Sequence, residues 1–293
     1  MHMNTTLTPR FDQVQCLDSR GLHHMAWAEW GDPTNPRVLV CAHGLARQGR
    51  DFDTLARAMA GEYRVVCPDV VGRGRSSWLA DPMGYAIPNY VADMVTLLAR
   101  LNASEVHWVG TSMGGLIGLG LAALPDTPIR RLVLNDVGPK IEYESLVRIG
   151  QYLGMPVRWN SLEQAADALW AISQGFGPHT REQWLALTEP QLKADGAGFK
   201  LHYDPAIAVP FRAVTAQVAA AGEAMLWHGY DQICCPTLLL RGAESDLLSR
   251  ETANQMAQRG PRARLHEFAG VGHAPMLVQP DQVEVVRRFL LEP

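Results

Sequence analysis

The feature that most constrains the fold is a regular alternation between short apolar β-type runs and longer helical patterns. Buried strands of a parallel sheet are short aliphatic runs, and the connection between two of them is usually a helix. The chain therefore predicts an α/β fold with a mostly parallel, doubly wound sheet. Two apolar runs within residues 14–31 have no helix between them, which is typical of an antiparallel hairpin at a sheet edge. The candidate strands are residues 37–42, 64–67, 106–109, 131–135, 237–241 and 263–268.

The alternation stops once, between residues 139 and 228. This stretch has helical periodicity and no buried-strand run, and its six prolines divide it into several short helices. The strand–helix pattern then resumes. We therefore expect residues 1–138 and 229–293 to form the α/β core, and residues 139–228 to form a helical cap inserted into it.

Composition and charge exclude several classes of protein. Of the 293 residues, 47% are hydrophobic and 19% are charged, which excludes a disordered or collagen-like chain. The net charge is −4 without a long run of one sign, so no nucleic-acid or membrane partner is expected. The five cysteines argue against a disulfide framework, and residues 1–16 lack a secretory signal pattern. We expect a cytoplasmic protein with a small-molecule substrate; its oligomeric state stays open.

A nucleophile motif follows the candidate strand at 106–109. Gly110-Thr111-Ser112-Met113-Gly114 matches G-x-S-x-G and leads directly into an apolar helical stretch. A serine at such a sharp turn adopts a strained backbone, and the two flanking glycines leave room for strand and helix to approach each other. The helix N-terminus places free N–H groups where an oxyanion would form. This context predicts that Ser112 is a nucleophile.

Another candidate strand ends in His43-Gly44-Leu45. Gly44 allows the N–H of Leu45 to point inward, where it can pair with the N–H of Met113 as a two-donor oxyanion hole. A histidine beside such a turn is more often structural than catalytic, so we interpret His43 as structural.

Two loops near the C-terminus carry candidates for the base and the acid. His273 lies on a Gly-flanked loop, from which a histidine can reach a serine hydroxyl and act as a general base. Asp246 follows a candidate strand and is the acid that we expect to hold His273. The order Ser112, Asp246, His273 is typical of this type of elbow.

Together these motifs resemble the α/β-hydrolase fold family, in particular its cap-bearing serine hydrolases. The resemblance spans nearly the whole chain, and it also rests on residues 69–76, DVVGRGRS, which match the family's D-x-x-G-x-G-x-S turn. It implies that Ser112 is the nucleophile, His273 the base and Asp246 the acid. It also implies that the N–H groups of Leu45 and Met113 hold the oxyanion.

The family's acid often stands three residues after the strand-terminal glycine, whereas Asp246 is four after Gly242, so Glu244 remains a weaker alternative. Asp136 is another, because it lies at the end of the preceding strand, where some relatives have their acid.

The residues around the motifs favour some branches of this family over others. A serine at the elbow argues against the haloalkane dehalogenases and epoxide hydrolases, which have an aspartate there. Carbon–carbon hydrolases tend to have Asn before the serine and an aromatic residue after the histidine. This chain has Thr111 and Ala274 at those places, which makes that branch less favoured without excluding it.

Two arginines after the oxyanion turn, Arg47 and Arg50, are candidates for binding a substrate carboxylate. Pairing with Asp51 or Asp53 is the simpler interpretation of both. Without an H-E-x-x-H or comparable ligand set, we expect neither a metal nor a cofactor. The sequence thus predicts a serine hydrolase of a small carboxylic ester or lactone. The alternatives are a C–C bond hydrolase of ring-cleavage products, a ligand receptor and a cofactor-free haloperoxidase-like protein.

Overall fold

The computed structural model describes residues 8–292 and contains one large sheet. Its strands are β1 (Arg10–Asp18), β2 (Gly21–Trp30), β3 (Val38–Ala42), β4 (Arg64–Pro68), β5 (Val106–Thr111), β6 (Ile129–Asn135), β9 (Thr237–Gly242) and β10 (Arg264–Phe268); β7 (Leu192–Asp195) and β8 (Gly198–Leu201) form a separate pair. The helices are α1 (Asp53–Met59), α2 (Ile87–Leu101), α3 (Met113–Ala122), α4 (Tyr143–Tyr152), α5 (Leu162–Ile172), α6 (Arg181–Thr188), α7 (Ala208–Arg212), α8 (Ala216–Gln232), α9 (Arg250–Met256) and α10 (Pro280–Leu291). Single 3₁₀ turns lie at Gly49–Phe52, Pro82–Gly84, Gln174–Phe176, Glu189–Gln191 and Pro205–Ile207. None of the helices in residues 8–292 combines the length and the apolar character of a membrane-spanning segment.

The large sheet has the strand order β1-β2-β4-β3-β5-β6-β9-β10. β1 and β2 form an antiparallel hairpin at one edge, and β2 is also antiparallel to β4. Every other neighbouring pair is parallel. The predicted α/β fold and its edge hairpin are therefore confirmed.

Two hydrophobic layers fill the space between the sheet and its helices. On one face, α1 and α10 contribute buried side chains such as Leu55 and Phe289. On the other face, α2, α3, α8 and α9 cover a layer that includes Met94 and Trp108. Burying one large apolar side chain contributes roughly 1.5–3 kcal/mol, so these layers are the main source of stability.

The chain between β6 and β9 forms a mainly helical insertion, α4 to α8. Two details differ from the sequence-based expectation. β7 and β8 pair as a small antiparallel hairpin, and α8 continues to Gln232, past the expected boundary at residue 228. The hairpin turn contains Asp195-Gly196, with Gly196 at φ +60°, which is a recognised hairpin signal. Its strands were missed because they are only partly buried and carry no apolar run.

The parallel strands bring the candidate residues to one edge of the sheet. His43 follows β3, Ser112 follows β5, Asp136 follows β6 and His273 follows β10. Since parallel strands end at the same edge, loops that are distant in sequence meet there. This is where open α/β sheets place their ligand sites.

Candidate active site

Ser112 occupies the sharp turn between β5 and α3. Its backbone has φ +52° and ψ −116°, a strained conformation for a residue with a side chain, and its N–H donates to the Asn135 carbonyl at 3.0 Å. A Cβ at Gly110 would collide with the Gly114 backbone, and one at Gly114 would collide with the Ala42 carbonyl. The two glycines therefore let strand and helix approach closely, and the turn presents Ser112 to a cavity.

A continuous chain of hydrogen bonds leads from Ser112 to a buried carboxylate. The Ser112 Oγ lies 3.0 Å from His273 Nε2, and His273 Nδ1 lies 2.7 Å from Asp136 Oδ2. Asp136 is fully buried and the imidazole is largely shielded from solvent. When Nδ1–H donates to the carboxylate, Nε2 presents its lone pair to the hydroxyl. This arrangement is suited to general-base activation of a serine.

The carboxylate beside His273 is not the expected one. Asp246 is exposed, and its Oδ2 accepts a hydrogen bond from Arg148 of α4 at 2.5 Å. Glu244 is exposed as well. Asp136 stands directly after β6, which neighbours β5, whereas Asp246 follows β9, one strand farther from the elbow. The expectation that Asp246 holds His273 is therefore wrong, and the alternative at the end of the preceding strand has that position.

Asp136 is held by a set of donors that compensate its burial. Its backbone has φ +55°, and Oδ1 accepts the N–H of Gly242 at 2.8 Å. Oδ2, the atom beside His273, also accepts the hydroxyl of Ser245 at 2.6 Å. A buried carboxylate is unfavourable unless hydrogen-bond donors surround it, and three donors do so here. They hold the carboxylate in place beside the imidazole.

Asn135, which the sequence analysis did not single out, connects the elbow to the histidine loop. Its Nδ2 donates to Thr111 Oγ1 at 2.9 Å and to the Pro275 carbonyl at 2.7 Å. The available signal is that two polar residues, Asn135 and Asp136, directly follow the apolar run 132–134. Buried polar groups need partners, and the Asn135 amide nitrogen and the Asp136 carboxylate find theirs inside the site.

The predicted oxyanion donors are the backbone N–H groups of Leu45 and Met113. Met113 is the first residue of α3, so its N–H has no acceptor within the helix. Leu45 lines the same cavity as Ser112. A free N–H directly after Ser112 is suited to donate to a developing negative charge, and Leu45 stays the predicted second donor.

A buried arginine, Arg73, contacts both oxyanion candidates. Its Nε donates to the Leu45 carbonyl at 2.9 Å, and its Nη2 lies 3.4 Å from the Met113 Sδ. Nη1 donates to the Val71 carbonyl and the Tyr90 hydroxyl, at 2.7 and 3.0 Å. Arg73 is fully buried, and the acceptors in these four contacts are all neutral. Its guanidinium thus brings a fixed positive charge close to the oxyanion turn.

His43 is fully buried, as expected of a structural residue. Its Nδ1–H donates to the Gly44 carbonyl at 2.7 Å, and its Nε2 accepts the N–H of Val70 at 3.0 Å. Burial lowers the pKa of His43 to about 3, so the ring is neutral at neutral pH. These two bonds fasten the His-Gly turn to the neighbouring loop.

Ser112 and His273 open into a cavity of about 440 Å³. Most of its wall belongs to the helical insertion and is apolar. The wall includes Ile149, Leu153, Val157, Trp159 and Leu169. Such a cavity accommodates a small acyl chain that carries few polar groups.

The two arginines proposed for substrate binding are both paired with neighbouring carboxylates. Arg47 donates to the two oxygens of Asp51 through Nε and Nη2, at 2.7 Å each. Arg50 is held by Asp53 at 2.5 to 2.9 Å and does not line the cavity. Both arginines therefore pair with a neighbouring aspartate, which was the simpler of the two interpretations. The alternative, in which Arg50 contacts substrate, is wrong.

One group of side chains elsewhere has the composition of a metal site. Cys16, His23 and Asp93 are buried, and one potential ligand atom from each lies within 4.8 Å of the others. His23 Nε2 lies 3.0 Å from both oxygens of Asp93, and burial raises the pKa of Cys16 to about 12. Because His23 and Asp93 pair with each other, we interpret the set as an internal hydrogen-bond cluster. None of the three lines the cavity at Ser112.

A serine elbow, a histidine and a buried aspartate at the C-terminal edge of an α/β sheet define the class of serine hydrolases with a nucleophile elbow. The model of the alpha/beta hydrolase family matches residues 39–286. The chain therefore belongs to this family.

Relatives with assigned activities indicate the type of reaction. The chain is 56% identical over 286 residues to a 3-hydroxybutyrate-oligomer hydrolase of Cupriavidus necator, with 96% of this chain and 98% of that one covered. It is 26% identical over 267 residues to the esterase YbfF of Escherichia coli, with 87% and 94% covered. The crystal structure of an alpha/beta hydrolase from Novosphingobium aromaticivorans superimposes with a TM-score of 0.82 at 36% identity, covering 96% and 98%. The chain is therefore a hydrolase, and its relatives support ester hydrolysis.

Proposed function

We propose that this hydrolase cleaves the ester bonds of short 3-hydroxybutyrate oligomers through an acyl-enzyme on Ser112. The observation that carries the proposed reaction is the hydrogen-bond chain from Ser112 through His273 to Asp136, with atom separations of 3.0 and 2.7 Å. The relative from Cupriavidus necator, which is similar over nearly the full length of both chains, supports the substrate class.

In the proposed mechanism Ser112 Oγ attacks the ester carbonyl while His273 Nε2 takes the hydroxyl proton. Asp136 stabilises the resulting imidazolium, and the N–H groups of Leu45 and Met113 hold the oxyanion. His273 then gives its proton to the departing alcohol oxygen. Water, activated by the same histidine, releases the acid from Ser112.

The cavity supports this substrate class. Each unit of a 3-hydroxybutyrate oligomer has a methyl branch and one ester group, so the chain is mostly apolar with regularly spaced carbonyls. Apolar side chains such as Ile149, Leu169 and Leu201 line the cavity of about 440 Å³. The helical insertion that supplies much of this wall would act as the predicted cap, excluding water from the reacting ester.

The test is hydrolysis of the linear 3-hydroxybutyrate trimer, with products quantified by liquid chromatography and mass spectrometry. The wild type is expected to release monomer and dimer. Ser112→Ala, which removes only the hydroxyl, should lower the rate by about 10³ to 10⁶-fold. Circular dichroism and thermal melting of both proteins control for folding.

Two results would separate the parts of this proposal. Cleavage of 4-nitrophenyl butyrate without cleavage of the trimer would refute the substrate class and leave the serine esterase mechanism standing. Retention of most activity by Ser112→Ala on both esters would refute the nucleophile assignment.

A further inference from the structure

The cavity contains one cationic side chain that remains open to solvent. Among the described lining residues, the only arginines or lysines are Arg47 and Arg148. Arg47 is mostly buried and is held through two bonds by Asp51. Arg148, on α4, keeps 46% of its side chain exposed. It is therefore the cation that an anionic substrate can meet at the cavity.

Arg148 is held in place loosely enough to accept a second anion. Its Nη2 donates to Asp246 Oδ2 at 2.5 Å, and the side chain of Asp246 is 53% exposed. An ion pair with this exposure contributes little to the stability of a protein. The planar guanidinium carries five N–H donors in a fork that matches a carboxylate, so one edge can hold Asp246 while another meets a ligand.

Hydrogen bonds attach the start of α4, the helix that carries Arg148, to the active site. The Ser145 hydroxyl donates to the Asp246 carbonyl at 2.6 Å, and the Glu142 N–H donates to the Leu247 carbonyl at 3.2 Å. These bonds attach the start of α4 to the loop after β9. The same loop reaches Asp136 through the hydroxyl of Ser245. A short series of hydrogen bonds thus connects the arginine to the His273–Asp136 pair.

The chemistry of the substrate gives this cation a partner. A linear 3-hydroxybutyrate oligomer ends in a free carboxylate, and this end always belongs to the alcohol side of the ester that is cleaved. The alcohol side leaves first, so it is best placed toward the solvent-open part of the cavity. The acyl side, which carries no charge, then lies along the apolar wall.

We propose that Arg148 binds the terminal carboxylate of the oligomer and so makes the enzyme selective for free oligomer acids. This inference rests on the proposed function. Asp246 orients the guanidinium and competes with the substrate for it. Uncapped acids are consequently better substrates than their methyl esters.

The test compares the dimer of 3-hydroxybutyrate with the methyl ester of the same dimer. In the wild type kcat/KM is expected to be about tenfold higher for the acid, which corresponds to about 1.4 kcal/mol. Arg148→Gln should lower kcat/KM for the acid about tenfold, mainly by raising KM, and change the methyl ester less than twofold. Arg148→Lys should restore part of the preference.

Two matched variants separate binding from a structural role. Arg181→Gln removes another exposed arginine–aspartate pair of the insertion, with Asp167 at 2.6 Å, that does not line the cavity; it should leave both substrates unchanged. Asp246→Asn should keep or improve cleavage of the acid, because it removes the competing carboxylate. A purely structural ion pair would instead make Asp246→Asn as harmful as Arg148→Gln.

Two outcomes would overturn the inference and leave oligomer hydrolysis standing. One is an equal loss of kcat/KM for the acid and the methyl ester in Arg148→Gln. The other is a wild type that does not prefer the acid. Failure of the wild type to cleave either dimer, with 4-nitrophenyl butyrate still hydrolysed, would instead overturn the proposed substrate.

Discussion

Asp136→Asn tests whether Asp136, as in the structure, or Asp246, as expected from the sequence, is the acid that holds His273. Asn has the same shape, and its carbonyl oxygen can still accept the N–H of Gly242, so the fold should be retained. Its NH₂ group, however, would face His273 Nδ1, where the structure has an acceptor at 2.7 Å. The ring would then favour the tautomer with its proton on Nε2. In that form it cannot take the proton of Ser112.

The expected fall in kcat has two causes. The wrong tautomer and the missing stabilisation of the imidazolium together lower kcat by about 10³ to 10⁴-fold in comparable sites. Asp246→Asn is the matched control, because it breaks a contact between side chains that are 46% and 53% exposed and should change hydrolysis of a neutral ester less than threefold.

The assay is kcat/KM for 4-nitrophenyl butyrate at pH 8, with melting temperatures measured on the same samples. A neutral substrate keeps the carboxylate recognition proposed for Arg148 out of the comparison. A large loss in Asp246→Asn combined with a small loss in Asp136→Asn would refute the assignment of the acid.

Three further predictions concern other parts of the molecule. Arg73→Met removes the donor to the Leu45 carbonyl and the positive charge close to the oxyanion turn, so kcat/KM should fall about 10 to 100-fold. The melting temperature should also fall, because the Leu45 and Val71 carbonyls and the Tyr90 hydroxyl lose a buried donor. An unchanged kcat/KM would mean that Arg73 does not support the oxyanion turn. Burial lowers the pKa of His107 to about 4, so between this value and about 6.5 the unfolded chain binds more protons, and stability falls as the pH drops from 7 to 5. In urea unfolding, His107→Gln should therefore lose about 1–2 kcal/mol less than the wild type over this range, and equal losses would contradict the cause. EDTA should leave ester hydrolysis unchanged, because the proposed steps use only protein groups; a loss that added Zn²⁺ restores would contradict that mechanism.

Local sequence was sufficient to predict some of the site. Ser112 lies in a motif whose glycines are required by a single turn, and that turn is contained within five consecutive residues. The parallel strands could also be predicted from local sequence, because a buried parallel strand needs an apolar run. His273 followed from a Gly-flanked loop after the last candidate strand.

The identity of the acid depends on the strand order, which no local pattern contains. Asp136 reaches His273 because β6 lies beside β5, and its left-handed backbone directs the side chain into the site. Asp246 has an equally suitable sequence context, but its side chain turns outward to Arg148. The position of Arg148 at the cavity also depends on how the helical insertion packs on the core.

The most direct test of the central claim is a reaction that needs no knowledge of the substrate. The folded protein is treated with an alkyl fluorophosphonate, and intact mass and peptide mapping locate the adduct, with Ser112→Ala treated in parallel. The account predicts one adduct, on Ser112, that is absent from the variant. An enzyme that hydrolyses esters but carries no adduct, or carries it on another residue, would contradict the claim that Ser112 is the activated nucleophile.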